Sequence, residues 1–328
     1  LYTNEDGAFP PESLQRKISD SRLPLTDLPD SDQDFLTIHI NGTTADEKPD
    51  SDLDLTKNIF KALAAGSVKA NVRMEIKLVF QEPSTFTGRN VIGKIEGKTD
   101  QYIVFGAHYD HLGIEGLSDD GKLLYYPGAD DNASGVSVLL EISRLWQKRE
   151  QPKLGILFVA FGAEEDGMLG SRIFASNLPV AKKSIVSMIN LDMVGRNGYS
   201  SMREVRLSKT DPDPDYTALY CSVESPALLS IAKGTGFNAG LNLDVKPISR
   251  FSFSDAGSFH SIGIPTISIF GGFHSDYSEL NDIPELINWV KLAKMVLLAD
   301  NLLINFNNMT ENITFDKNIS AKKPNMRY

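Results

Sequence analysis

The chain has 328 residues, a length that suits one large domain with an appended piece better than two full domains. Its composition, 41% hydrophobic and 23% charged, is that of an ordinary globular protein, and its net charge of −10 speaks against nucleic acid or an anionic membrane surface as partner. The single cysteine, Cys221, excludes an intramolecular disulfide and a cysteine-based metal site, and no apolar run reaches the length of a membrane span. The chain starts at Leu1 instead of Met, which reads as a processed form or an excised piece, in which a signal peptide would not be in view.

Along the chain, the first 55 or so residues are polar, acidic and rich in Pro and Asp, with loop-like stretches "DLPDSDQ" and "ADEKPDSDLD". Between these stretches a short strand is expected at Phe35–Ile40. Helical spacing over Asp54–Ala65 stops at Gly66, and Val72–Phe80 alternates as a strand does. Val91–Glu96 and Tyr102–Ala107 read as a strand pair separated by "GKTD". Ala133–Lys148 reads as an amphipathic helix with Leu139, Leu140, Ile142 and Leu145 on its apolar side. A strand is expected at Leu154–Phe161, a short helix at Gly167–Ser176, a strand at Ile185–Leu191 and a helix at Pro226–Gly234. A last strand at Ile264–Phe270 precedes a long closing helix at Leu286–Phe306. Strands alternating with helices predict an α/β domain: a central, mostly parallel mixed sheet with helices on both faces. The main domain is expected at 86–328, with residues 1–85 an appended piece that the family resemblance described below implies to be a small accessory, lid-like segment.

In open α/β sheets, sites collect at the carboxyl ends of the strands. The polar clusters sit there: "GAHYDHLG", "PGADDNASG", "FGAEEDG" and "INLDMVG". There are only five histidines: His39, His108, His111, His260 and His274. His108 and Asp110 share a face of an extended segment, so the carboxylate can sit behind the imidazole, as it does behind many metal-ligating histidines. Asp130 and Asp131 are adjacent carboxylates before a helix, and a cation would relieve their repulsion. Glu164 and Glu165 leave an extended chain in opposite directions, which allows one to bind metal while the other faces a substrate. Asp192 ends a further apolar strand. Bland alternatives exist at each place: a hydrogen-bonded pair, a helix cap, a solvated acidic loop and a turn residue. Their coincidence at strand ends is what argues for a single site.

These segments, in this order, resemble the co-catalytic zinc exopeptidase family that includes the secreted bacterial aminopeptidases and glutamate carboxypeptidase. The likeness runs from about Asn90 to Leu298. It implies that His108 and Asp192 hold one zinc, that Asp131 bridges two, and that Glu165 holds the second. It also implies Glu164 as general base, Asp110 as the group orienting His108, and a non-proline cis bond at Asp131–Asn132. One departure stands out. The family's last ligand is a His directly after a Tyr, whereas "HSDYSELND" places Ser278 after Tyr277. Tyr277 keeps the place of the residue that steadies an oxyanion. A neutral Ser is a poor zinc ligand, so either His274 swings in as a substitute, the second zinc is weak or absent, or the protein is catalytically impaired.

The resemblance therefore implies removal of N-terminal residues from peptides, with two Zn2+ expected and peptide substrates as partners. It also implies a secreted, periplasmic or cell-surface location. The stretch "VKPISRFSFSDAGSFHSIGIP" is expected to line the substrate pocket, with Arg250, Phe251 and Phe253 touching side chains or, for the aromatics, packing in the core. A carboxypeptidase would need cations for the substrate carboxylate, and Arg196, Arg203, Arg206 and Arg250 are the candidates. A binding protein on a peptidase scaffold is the non-enzyme alternative.

Overall fold

The computed structural model describes residues 88–321 apart from 119, 236–238 and 311. The elements expected at Phe35–Ile40, Asp54–Ala65 and Val72–Phe80, and the accessory segment 1–85, lie outside the described residues. The strands are β1 (Val91–Ile95), β2 (Tyr102–His108), β3 (Gly113–Leu117), β4 (Leu123–Tyr126), β5 (Gly155–Phe161), β6 (Ile185–Asp192), β7 (Tyr216–Ser222), β8 (Asn242–Ile248) and β9 (Thr266–Phe270). The helices are α1 (Gly135–Trp146), α2 (Leu169–Ser176), α3 (Met202–Leu207), α4 (Pro226–Thr235), α5 (Ala256–Ser261), α6 (Trp289–Asn308) and α7 (Lys317–Ala321).

Seven strands form one sheet in the order β1-β5-β2-β6-β9-β7-β8, and β3–β4 forms a separate hairpin. β2 pairs in parallel with β5 and β6, β6 with β9, and β7 with β8. β1 runs antiparallel to β5, and β7 antiparallel to β9, so the sheet is mixed. β2 is buried along its whole length, as a parallel strand covered on both faces must be. Its side chains alternate between two cores. Ile103, Phe105 and Ala107 join Val138, Ile142, Leu228, Met295, Leu298 and Leu302 beneath α1, α4 and α6. Tyr102 and Val104 face the other way, toward Phe174 of α2 and Phe259 of α5. There the Phe161, Phe174 and Phe259 rings close a triangle with centroids 5.9, 5.9 and 6.0 Å apart. Gly106 must be glycine, because a Cβ would lie 2.4 Å from Cε2 of Phe161.

The four strands that carry the longest apolar runs lie where their patterns place them. β7 and β8 were not expected. β7 mixes Tyr, Thr, Cys and Ser among its apolar residues, and β8 is a half-exposed edge strand carrying Pro247, which cannot donate to a ladder. The closing helix begins at Trp289 instead of Leu286, because Pro284–Leu286 forms a separate 3-10 turn and the Asn288 side chain caps the helix by accepting from the Lys291 N–H at 3.0 Å.

Lys291, on the first turn of α6, is fully buried and donates from Nζ to the carbonyls of Arg196 and Gly271, both at 2.6 Å. Burial pulls its ammonium down to about 8. The residue ties α6 to the loop after β6 and to the end of β9. Lys291→Met leaves two carbonyls without this donor. It is expected to cost about 2–4 kcal/mol in urea unfolding with an unchanged m-value.

Candidate metal centre

Three loops converge beyond the carboxyl ends of β2, β5 and β6. The first is short. His108 closes β2, its Nδ1 donates to the carbonyl oxygen of Asp110 at 3.1 Å, and its ring is 2% exposed. That contact fixes the tautomer and turns Nε2 outward from the strand end. The loop after β5 is folded tightly on itself. The Glu164 carbonyl accepts from Gly167 and Met168 at 2.8 and 2.7 Å, and Asn90 bridges Gly162 and Gly170. Glu164 and Glu165 thereby leave a fixed turn.

The segment 128–134 is held most firmly. Asp282, fully buried, accepts from the Asp130 N–H with both carboxylate oxygens at 3.0 and 2.9 Å, and from the Asp131 N–H at 3.0 Å. The Asp131–Asn132 peptide bond is cis. The Asn132 side chain donates to the Leu191 carbonyl at 2.9 Å and accepts from Gly135 and Met193 at 3.1 and 3.2 Å. Asp130 turns away from Asp131. Its Oδ1 accepts from the Gly195 N–H at 2.5 Å, and its Oδ2 is 3.2 Å from Nε2 of His274.

Asp131 is left facing two imidazoles, one with each oxygen. Oδ1 lies 3.3 Å from Nε2 of His108, and Oδ2 lies 3.8 Å from Nδ1 of His111. His108 Nε2 also lies 3.4 Å from Oδ1 of Asp192, and His111 Nδ1 lies 2.8 Å from Oε1 of Glu165. Two groups with metal-binding donors result, His108–Asp131–Asp192 and His111–Asp131–Glu165, sharing Asp131. Tetrahedral zinc with bonds of about 2.0–2.1 Å sets its ligand atoms about 3.3 Å apart. The first group matches that spacing, and its contacts are longer than ordinary N–H···O bonds. The donor set therefore fits zinc.

The electrostatics agree. Burial, with the charges of Asp192 and Glu165, lifts Asp131 to about 6 against the pull of His108. Burial works against a charged His108, yet Asp131 and Asp192 hold it well above its ordinary value. Glu164 belongs to neither group. Burial, reinforced by Asp192, Asp255 and Glu165, pushes its carboxyl up to about 8. Asp255, fully buried at the start of α5, is itself pushed by burial to about 7. So much negative charge in one buried place is what a divalent cation offsets.

The structure thus brings together His108, Asp131, Asp192, Glu164 and Glu165, and places three other residues differently from expectation. His274 pairs with Asp130 and stands outside both groups, because Asp130 reaches it first. Asp110 touches His108 through its main-chain carbonyl. Its carboxylate is 3.9 Å away and accepts instead from the Glu165 N–H at 3.3 Å. His111 was not expected as a ligand. The available signal was its place, three residues after His108 in a chain with few histidines. Tyr277 stands beside the centre: burial first, then the charges of Asp131, Asp192 and Glu165, raise its hydroxyl. Phe251 is buried and stacks at 4.9 Å on His260, whereas Phe253 is half exposed.

The chain belongs to peptidase family M28, whose model matches residues 90–303. It is 37% identical over 123 residues to a "Probable zinc metalloprotease" of Pyrenophora teres f. teres, covering 36% of this chain and 26% of that protein. It is 31% identical over 191 residues to aminopeptidase YwaD of Bacillus subtilis, covering 57% of this chain and 36% of that protein. The chain thus spans well under half the length of these curated relatives. Among solved structures, the aminopeptidase from Aneurinibacillus sp. strain AM-1 superposes with a TM-score of 0.56 at 25% identity, covering 79% of this chain and 58% of that one. Zinc is the metal of this family, and the donor set found here suits it.

Asp282→Asn removes one acceptor oxygen from beneath Asp130 and Asp131. The expected outcome is a roughly 10–100-fold loss of zinc affinity, measured by competition with a chromogenic chelator.

Proposed function

We propose that this chain is a zinc-dependent exopeptidase that removes N-terminal residues from peptides. The observation that carries the reading is the sharing of Asp131 between two imidazole–carboxylate groups, with Glu164 beside them and in neither. When bound, zinc supplies polarisation of a carbonyl and acidification of water.

The chain's own residues do the rest. Glu164 is the general base: it takes a proton from water and passes it to the leaving amine. Its carboxyl is held near 8 by burial and acidic neighbours, and cations close by bring it toward the neutral range where a base works best. Tyr277 is placed to donate its hydroxyl to the developing oxyanion. A free α-ammonium is drawn to the surplus of carboxylates, which supports an aminopeptidase. The carboxypeptidase reading lacks support. Arg196 is bound to Asp276 at 2.6 Å, and Arg203, Arg206 and Arg250 are exposed. A binding-only scaffold is disfavoured by the retained donors and by Glu164. The same resemblance supports an extracytoplasmic location and an accessory role for residues 1–85. No helix among the described residues is long and apolar enough to cross a membrane.

Glu164→Gln is expected to keep its zinc and lose about 10²–10⁴-fold in hydrolysis of an aminoacyl-anilide. Normal cleavage by this variant would remove Glu164 from the base role. Chelation is expected to abolish activity in the unmodified protein, and zinc to restore it.

A further inference from the structure

We propose that His111 is the imidazole ligand of the second zinc site, taking over the task that Ser278 cannot perform. The proposal rests on the zinc-site reading above and goes beyond it in moving a ligand from the loop after β9 to the loop after β2.

Elimination narrows the field. Four histidines lie among the described residues. His108 serves the first group, His260 is bound to Glu224 at 3.0 Å, and His274 is placed against Asp130 at 3.2 Å. Only His111 faces Glu165, the acid left without an imidazole partner by the serine. Its Nδ1 lies 2.8 Å from Glu165 and 3.8 Å from Asp131, bracketing the separation of about 3.3 Å that neighbouring ligands adopt around tetrahedral zinc.

The position is built for the ring. Gly128, at φ 64°, lies directly beneath it, and a Cβ there would come within 2.6 Å of Cγ and 2.7 Å of Cβ of His111. Any side chain at 128 would therefore collide with the ring and with the Asp131 carbonyl oxygen, 2.4 Å from that Cβ, so the bare backbone here lets both pack close. The His111 side chain is only 7% exposed, and its Nε2 is buried without a hydrogen-bond partner. A simple ion pair between His111 and Glu165 accounts for the 2.8 Å contact alone. It gives no reason for Asp131 to turn its second oxygen toward the same nitrogen while the first faces His108. A cation between His111, Asp131 and Glu165 explains both contacts.

The test is metal content of the full-length chain, measured by plasma mass spectrometry after zinc loading and dialysis and repeated by Co2+ absorption. The unmodified protein is expected to hold two metals. His111→Ala and the bulkier His111→Gln are expected to hold one, with second-site affinity falling more than the roughly 10–100-fold that loss of an outer-shell partner costs. Circular dichroism in chelator establishes that the variants fold. Adding Ser278→His to His111→Ala is expected to restore the second metal, and its failure to do so would overturn the exchange of ligand positions. Two metals in His111→Ala, or one in the unmodified protein that the variant retains, would overturn the role of His111 while leaving a zinc site in place. No metal in the unmodified protein would instead sink the zinc-site reading itself.

Discussion

A carboxylate can face two imidazoles, one with each oxygen, only if the backbone beneath it cannot turn. Asp282 removes that freedom here. Its two oxygens collect the N–H groups of Asp130 and Asp131, and Asn132, the next residue, is anchored to Leu191 and Met193 at the end of β6. A buried carboxylate is expensive unless its lone pairs are filled, and Asp282 fills its own with main-chain donors. Asp130 follows the same logic. It spends its charge on Gly195 and His274, which leaves Asp131 as the acid turned toward the centre. One acid of an adjacent pair becomes framework so that the other can face the two imidazoles.

The sheet supplies the second half of the arrangement. β2, β5 and β6 run parallel, so their carboxyl ends open at the same edge, and each delivers acids or imidazoles where the apolar core stops. This edge is buried enough to raise the proton affinity of carboxylates and open enough to leave Glu165 exposed. Burial therefore has two effects at once. It makes the acids compete for a cation, and it raises the proton affinity of Glu164, which is in neither group.

The strands that position the site were legible because they are apolar along their full length, a pattern few other structures produce. So were the acids at their ends, whose cost beside a core calls for compensation. β7 and β8 escaped notice because polar residues and a proline interrupt them, and burial of their neighbours keeps them in the sheet anyway. The separate β3–β4 hairpin is mostly exposed, with a slipped register, and leaves little trace in hydropathy. The orientation of His108 was read as a carboxylate contact, whereas the nearer partner is a carbonyl that any residue at 110 would bring. His274 attracted attention because it sits in a familiar frame, and no pattern in the chain reveals that Asp130 would reach it. The position of His111 depends on a bare glycine seventeen positions later in the chain, a relation that only the folded backbone discloses.

With His111 in the set, every donor to both metals lies between His108 and Asp192, and none waits for the last strand of the sheet or the closing helix. The groups that stiffen the centre, Asp282 and Lys291, come much later. Ligand supply and ligand rigidity are thus separated along the chain. The loops that must close to gather the donors are shorter than if an imidazole from position 278 were needed, which lowers the entropic cost of gathering them. A chain that ended before Asp282 would carry every one of these donors and neither of the residues that hold them in place.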